Sequence, residues 1–489
     1  MAVAAAISRF QRTNEWACYT ADLFLHPRVL AVTATAFASL PISAAMQANL
    51  AAIGYAEMTP IQAASLPLIL KGRDLIAQAK TGSGKTAAFG IGLLHPLNPR
   101  YFGCQAMVLC PTRELADQVA KEIRRLARAA DNIKVLTLCG GVPFGPQIGS
   151  LEHGAHVIVG TPGRIQEHLR KGTLKVDGLN TLVLDEADRM LDMGFIDSIS
   201  DIIEQTPARR QTLLFSATYP SSIEQLAARF LRSPERIEVE AQHDDGQIEQ
   251  RFYEIAPGQR LEAVSTLLRH FRKQPVVAFC ATRQQCDELA AQLEAEKISA
   301  AALHGDLEQR ERDQILALFA NRSLSVLVAT DVAARGLDIA GLEMVINVEL
   351  SRDAEVHIHR IGRSGRAGEK GLALSLVAPA EAGRAQAIET QQDRELAWYP
   401  LPAAKAGGEA LLPPMHTLCI GAGRKEKLRP GDILGALTGD AGIPGDQVGK
   451  IALFDYQAFV AVQRDVARQA LKRLSEGKIK GRTLRVRLL

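Results

Sequence analysis

The chain has 489 residues, 47% hydrophobic and 23% charged, which is material for two or three ordinary cores and not for a fibrous or wholly disordered protein. The net charge of +3 is too small to mark the whole chain as a nucleic-acid binder, but it is unevenly spread: from Leu412 onward there are 14 Lys and Arg against 7 Asp and Glu. Seven cysteines with no Cys-x-x-Cys pair argue against a disulfide framework or a thiolate zinc site. No apolar run approaches the ~18 residues of a membrane span, and MAVAAAISRF lacks a basic start, so no membrane association, no secretory signal and a cytoplasmic location are expected.

Residues 1–35 carry no periodicity and are expected to be a disordered extension. Over 36–240, short apolar runs alternate with helical patterns: DLIAQ, QAMVLC, HVIVG, TLVLDEAD and TLLFSAT. The polar stretch EVEAQHDDGQIEQ separates these from a second set over 248–395, VVAFCAT, LSVLVATD, MVINVEL and GLALSLV. Strands alternating with helices predict two parallel sheets. Most of the runs end in Thr, Pro, Ser or Asp, and in open α/β sheets ligands bind beyond the carboxyl ends of the strands. The loose stretch over 396–411 reads as a linker. The basic tail, 412–489, reads strand, helix, two strands, helix, strand, the order of an RNA recognition motif.

Two motifs carry chemistry. In AKTGSGKT, the residues Ala79, Lys80, Thr81, Gly82, Ser83, Gly84, Lys85 and Thr86 lie between a strand and a helix. A glycine loop opening a helix turns successive N–H groups toward a phosphate, and the helix N-terminus adds partial positive charge. Lys85 would reach the β- and γ-phosphates and Thr86 would offer its hydroxyl to Mg²⁺; read alone, the stretch could also be a Gly-Ser turn before a helix. In TLVLDEADRM, Asp185 can hold the metal through its waters, and Glu186 can orient and deprotonate the water that attacks the γ-phosphoryl group.

With Asp185, Glu186, Ala187 and Asp188 spelling its name, the chain resembles the DEAD-box RNA helicases from about Phe37 to about Val377. The resemblance implies two tandem RecA-like parallel-sheet domains, followed by the small α+β RNA recognition motif-like domain, and an enzyme that hydrolyses ATP with Mg²⁺ when RNA is bound. Gln62 would read the adenine edge, with Tyr55 against the ring and Phe37 as the upstream aromatic of the family; a plain helix cap is the other reading of Gln62. Asp338, with Gly336 beside it, resembles the part of the family that meets the ribose. Arg363 and Arg366 resemble arginine fingers on the γ-phosphate. Ser216, Ala217 and Thr218 are placed to couple hydrolysis to RNA, their hydroxyls bonding Asp188.

For RNA, Pro111, Thr112 and Arg113, Gly140 and Gly141, and Thr161, Pro162, Gly163 and Arg164 resemble the backbone-binding motifs of the first domain, and Thr282, Gly305 and Thr330 those of the second. Such contacts are blind to base sequence. The tail resembles the C-terminal domain of the DbpA subfamily, which implies a hairpin of the large-subunit 23S ribosomal RNA and pre-50S particles as partners of a monomeric protein. Its strand KIALFDYQAFVAV has Gln457 and Val462 where stacking aromatics would stand, while Tyr456 and Phe459 remain. Binding is therefore expected at a basic edge, through Lys478, Lys480 and Arg482 with Arg485 and Arg487. Two readings stand: a helicase that unwinds locally, or an ATP-gated RNA clamp with little strand separation. A DNA translocase is disfavoured by the match to an RNA family.

Overall fold

The structure, a computed structural model, describes residues 36–79, 82–239, 248–334, 341–365, 371–403, 410–440 and 442–489. The expected site residues Lys80, Thr81, Gly336, Asp338 and Arg366, and the extension 1–35, lie outside the described residues. The chain divides into two compact units, Met1–Gln242 and His243–Leu489.

In the first unit, strands β1 (Leu75–Gln78), β2 (Ala106–Leu109), β3 (Val135–Leu138), β4 (Val157–Gly160), β5 (Thr181–Leu184), β6 (Gln211–Ser216) and β7 (Glu235–Glu238) form one parallel sheet in the order β3-β4-β2-β5-β6-β1-β7. Alternation along each strand divides the core. Met107, Leu109, Leu182 and Leu184 face one layer of helices, and Ala106, Val108 and Val183 face the other. Both faces are covered, so the central strands read as continuous apolar runs.

The second unit repeats the plan with β8 (Ile248–Glu254), β9 (Val276–Cys280), β10 (Ala300–Leu303), β11 (Val326–Thr330), β12 (Met344–Asn347), β13 (Gly371–Val377) and β14 (Trp398–Tyr399), in the order β10-β11-β9-β12-β13-β8-β14, again parallel. Two parts of the expected linker belong to this domain instead. Trp398–Tyr399 pair with β8 at the sheet edge, and Leu411, buried, bridges to Ile298, its carbonyl accepting from the Ser299 N–H. Leu411 gains more from burial against the domain than from water, while Trp398 and Tyr399 stay exposed and are held by backbone pairing with β8.

The C-terminal domain is a four-stranded antiparallel sheet of β15 (Met415–Ile420), β16 (Val448–Leu453), β17 (Ala458–Gln463) and β18 (Val486–Leu488), ordered β16-β17-β15-β18. Helices Pro430–Gly435 and Ala467–Glu476 connect them in the expected succession. Leu418, Ile420, Ala458, Val460 and Val462 point into its core. The opposite face is not open: Phe459 and Cys419 pack on Ala317 of the helix Gln309–Ala320, with Ala452, Phe454 and Leu489 around them. Asn321 Nδ2 donates to Thr417 Oγ1 at 3.3 Å, Thr417 Oγ1 bonds Ser323 Oγ at 2.9 Å, and the Met415 N–H donates to the Arg322 carbonyl at 3.3 Å. The sheet face of the tail is thus spent on the second RecA-like domain.

Candidate nucleotide and RNA sites

The carboxyl ends of β5, β6 and β1, three adjacent strands, gather the nucleotide motifs. Gly82 and Gly84 take φ of 82° and 94°, which glycine adopts at no steric cost. At Gly84 a Cβ would also stand 2.5 Å from Gln62 Nε2 and 2.9 Å from Thr59 Oγ1, so space as well as backbone demands glycine. Lys85 opens the helix Lys85–Leu94 and is buried, its ammonium donating to the Ala79 carbonyl at 2.8 Å.

Gln62 is buried beside this loop. Its Oε1 accepts from the Thr59 N–H at 2.9 Å in a capping box, and its Nε2 donates to the Gly84 carbonyl at 3.1 Å. Both ends of the amide are therefore engaged, and reading adenine would require at least one of these bonds to open. Tyr55 donates its hydroxyl to Glu122 Oε1 at 2.8 Å, and burial together with that carboxylate holds its phenol well above the usual range. Phe37 is buried edge-on to Tyr55, with ring centroids 6.0 Å apart.

Asp185 ends β5 in a buried setting that pushes its carboxyl up to about 7; Lys85 opposes the rise and Glu186 adds to it. Glu186 follows with φ 51° and ψ 53°, a left-handed conformation that costs a non-glycine residue ~1–2 kcal/mol. Its Oε2 is buried with no hydrogen-bond partner, and Arg189 Nε stands 3.6 Å away. Strain and an unsatisfied oxygen on one residue are a feature of working sites. A buried carboxyl whose basicity is raised by desolvation, with the Thr86 hydroxyl at the start of the following helix, fits a hydrated divalent cation whose charge would oppose that shift. Among the described residues no cluster of three or more His, Cys, Asp or Glu could cage a metal alone, so protein carboxylates would share such an ion with water and substrate oxygens.

The link from this loop to β6 differs in detail from expectation. Asp188 Oδ2 accepts from the Ala217 N–H at 3.2 Å, the Thr218 N–H at 3.0 Å and the Thr218 hydroxyl at 3.0 Å. The Ser216 hydroxyl, expected to share this task, is buried without a partner. Two backbone amides take its place because the chain turns across the carboxylate directly after the strand.

The neighbouring strands β2, β4 and β3 gather the expected RNA motifs. Thr112 and Thr161 are N-cap residues of the helices Arg113–Leu126 and Pro162–Arg170, and Thr112 Oγ1 accepts from the Leu115 N–H at 3.3 Å. The Arg113 guanidinium lies against Gly140 and Gly141, and a Cβ at Gly141 would fall 1.5 Å from its Nη1. Arg164 Nη1 donates to Gln147 Oε1 at 2.8 Å and to the Val142 carbonyl at 3.2 Å, while Gln147 Nε2 returns to the Cys139 carbonyl at 3.0 Å. Three sequence-distant motifs thus form one rim, in which Gln147 and its partner His168 (3.0 Å) are structural members that carried no sequence signal.

The second unit arranges its counterparts likewise. Thr330 ends β11, Gly305 and Thr282 follow the adjacent strands β10 and β9, and Thr282 caps the helix Arg283–Ala295. Arg363 is buried just beyond the helix Ala354–Ile361. Arg360, three residues earlier, was not singled out from the sequence. It is buried, with Nε and Nη2 forked onto Asp331 Oδ1 and Oδ2 at 2.6 and 2.8 Å and Nη1 on the Glu349 carbonyl at 2.6 Å, and so holds the turn that follows Thr330. Its one sequence signal is the spacing Arg-x-x-Arg with Arg363.

In the C-terminal domain Phe459 is fully buried beneath Ala317, which removes it from the two aromatics the sequence left available for bases. Tyr456, 69% exposed, stands in the β16–β17 turn. Lys478, Lys480 and Arg482 are exposed on the turn before β18, and Lys480 Nζ donates to the Lys427 carbonyl at 2.6 Å. Lys425 donates its N–H to the Asp455 carbonyl in the Tyr456 turn, so the loop around Lys425 and Lys427 joins the turn lysines to the exposed tyrosine.

Two parallel-sheet domains, one with a phosphate loop and a strand-end carboxylate pair, define a tandem RecA-like nucleotidase. Comparison with known proteins specifies it further. Residues 59–226 match the DEAD/DEAH box helicase family, 259–368 the helicase conserved C-terminal domain and 417–488 the DbpA RNA binding domain. The chain is 55% identical over 93% of its length to the ATP-dependent RNA helicase DbpA of Escherichia coli, all of which is covered. It is 43% identical over 74% of its length to the DEAD-box ATP-dependent RNA helicase CshA of Geobacillus kaustophilus, covering 78% of that protein. The structure of S. cerevisiae Dbp5 bound to RNA and ADP BeF3 superposes with a TM-score of 0.69 at 30% identity, over 75% of this chain and 96% of that one. The chain belongs to the DEAD-box ATP-dependent RNA helicases, within the DbpA subfamily. It is an RNA helicase with RNA-stimulated ATPase activity, and among the described residues no helix is long and apolar enough to cross a membrane.

Proposed function

We propose that the chain separates short RNA duplexes locally, close to a hairpin of 23S ribosomal RNA that its C-terminal domain binds, as a cytoplasmic monomer acting on pre-50S particles. The observation that carries this reading is the occupied sheet face of that domain. With Phe459 covered by Ala317, the surface that could stack single-stranded bases is closed, while Tyr456, Lys425, Lys427, Lys478 and Lys480 stay exposed around one set of loops. Such a surface suits a folded hairpin held through its shape and phosphates. The catalytic domains contact only backbone, so specificity falls to the tail.

Within the core, Glu186 is assigned the role of general base, Lys85 that of phosphate ligand, and Arg363 that of stabilising charge developing on the transferred phosphoryl group, an effect worth ~10³–10⁵ in rate in other nucleotidases. Thr86 and Asp185 would hold Mg²⁺ through water, and the ion would neutralise phosphate charge. Asp188 ties the position of Glu186 to the chain after β6 through its three bonds to Ala217 and Thr218.

The test is ATP turnover and strand release on a short duplex flanking the hairpin, compared with the same duplex lacking it. Turnover that rises steeply only with the hairpin supports the targeting; equal stimulation by any RNA of similar length would sink it. Strand release that needs hydrolysable ATP supports a helicase, and release unchanged by nucleotide returns the clamp.

A further inference from the structure

The amino ends of the first sheet, opposite the phosphate loop, carry a cleft of about 380 Å³. Its walls come from the residues just before β5, β6 and β7, and its floor from the ends of two helices, at Ile69 and Leu70 and at Gly92 and Pro96. The floor is closely packed: a Cβ at Gly92 would lie 2.2 Å from Ile69 Cγ2. Arg209, Arg210, Arg232 and His95 line this cleft.

These four side chains make no ion pair with a carboxylate among the described residues. The side chains of Arg209 and His95 make no hydrogen bond among the described residues, although the His95 N–H donates to the Ile91 carbonyl at 3.1 Å. Arg210 donates Nη1 to the Pro207 carbonyl at 2.9 Å and leaves Nε buried without a partner. Arg232 Nη2 reaches the Arg210 carbonyl at 2.5 Å. Asp74, whose charge acts on Arg210, is occupied by backbone: Oδ1 accepts from the Thr212 N–H at 2.8 Å and Oδ2 from the Arg232 N–H at 2.7 Å. Burial holds the Arg210 guanidinium below its ordinary value, opposed by Asp74 and reinforced by Arg232. The two helix C-termini at the floor offer about half an elementary negative charge each, which with Asp74 offsets about two of the three guanidinium charges and leaves about one positive charge in excess.

We propose that this cleft is a second anion site of the protein, taking a phosphorylated small molecule of about nucleoside-diphosphate size. Three guanidiniums with unfilled donors are the usual partners of phosphate oxygens. A volume near 380 Å³ with an apolar floor of Ile69, Leu70 and Pro96 falls within the range of small-ligand pockets and offers a surface for a ring or sugar. A nucleic-acid backbone would call for a shallow, extended basic surface, whereas this one is concave and bounded by strand ends. The site is separate from the ATP loop, since β1, β5 and β6 run between them.

The test is calorimetric titration of the full chain, its phosphate loop saturated with ADP, using inorganic pyrophosphate and guanosine diphosphate as probes and a short single-stranded RNA as the competing arm. The expected result is saturable binding of at least one phosphate probe, weakened about tenfold or more in Arg209→Gln and in Arg232→Gln. The Arg209 side chain makes no bond among the described residues, so its replacement is expected to leave the melting temperature unchanged and to isolate the binding effect. The proposal is overturned if neither probe binds with the loop saturated, if binding survives both substitutions intact, or if RNA alone loses affinity in the variants.

Discussion

Replacing Gly84 by alanine tests whether the glycine loop is shaped for a phosphate by its own neighbours. The residue sits at φ 94°, where a side chain costs ~1–2 kcal/mol. The new methyl would stand 2.5 Å from Gln62 Nε2, so Gln62 must leave and give up both its bond to the Gly84 carbonyl and its bond from the Thr59 N–H, each worth ~0.5–1.5 kcal/mol. The sum is about 2–5 kcal/mol. The helix behind the loop is anchored by buried Phe89, Ile91 and Leu93, so the cost falls on the loop and not on the domain. Gly84→Ala is expected to weaken nucleotide binding by about 30-fold to several thousandfold in a fluorescent ATP-analogue titration, with a melting temperature close to wild type. Gly163→Ala, where nothing lies within 4 Å, is the control and should leave nucleotide affinity unchanged. Affinity within about threefold of wild type in Gly84→Ala would refute the argument that space and backbone together dictate glycine here.

Glu186→Gln should retain ATP and RNA while turnover falls by about 100-fold or more, detected as a long-lived ternary complex in gel shifts; undiminished turnover would remove Glu186 as the base. Ala317→Arg places a charge beneath Phe459 and should release the C-terminal domain from the second RecA-like domain, raising hydrogen exchange in β17 while hairpin binding by the loops persists; lost hairpin affinity would place the RNA on the docked face instead. His168 is held neutral by burial, its basicity lowered to about 4, so its contribution to stability is present above its unfolded value near 6.5 and is lost as pH falls toward 4. Melting curves across that window should show the loss, and His168→Gln should reduce it; an unchanged slope would mean another group titrates.

The strands read directly from the sequence are those in the middle of the sheets. QAMVLC, HVIVG, TLVLDEAD and TLLFSAT became β2, β4, β5 and β6 because a central parallel strand is covered on both faces and must be apolar throughout. The strands that escaped are mostly those at the rims: β3 and β7 in the first sheet, β10 and β14 in the second. Of these, β14 has only two residues, too few to show a period, and β7 (ERIE) is mixed because one flank meets water. The polar stretch expected to join the domains hid the start of β8 at Ile248 for the same reason.

Chemical identity lay in the chain itself. The expectation of phosphate and metal chemistry at Gly84, Lys85, Asp185 and Glu186 comes from residue type and spacing, since a phosphate loop is a local device made of consecutive backbone amides. The assembly of Arg113 with Gly141, of Arg164 with Gln147 and of Arg360 with Asp331 needed the tertiary structure, because each pair joins the ends of different strands. The fate of Phe459 is the clearest case: its own strand leaves it equally a base-contacting or a core residue, and only the packing of β17 against Ala317 decides for core. A side chain's type is written in one position, but whether it meets water, RNA or another domain depends on what the rest of the chain brings to that face.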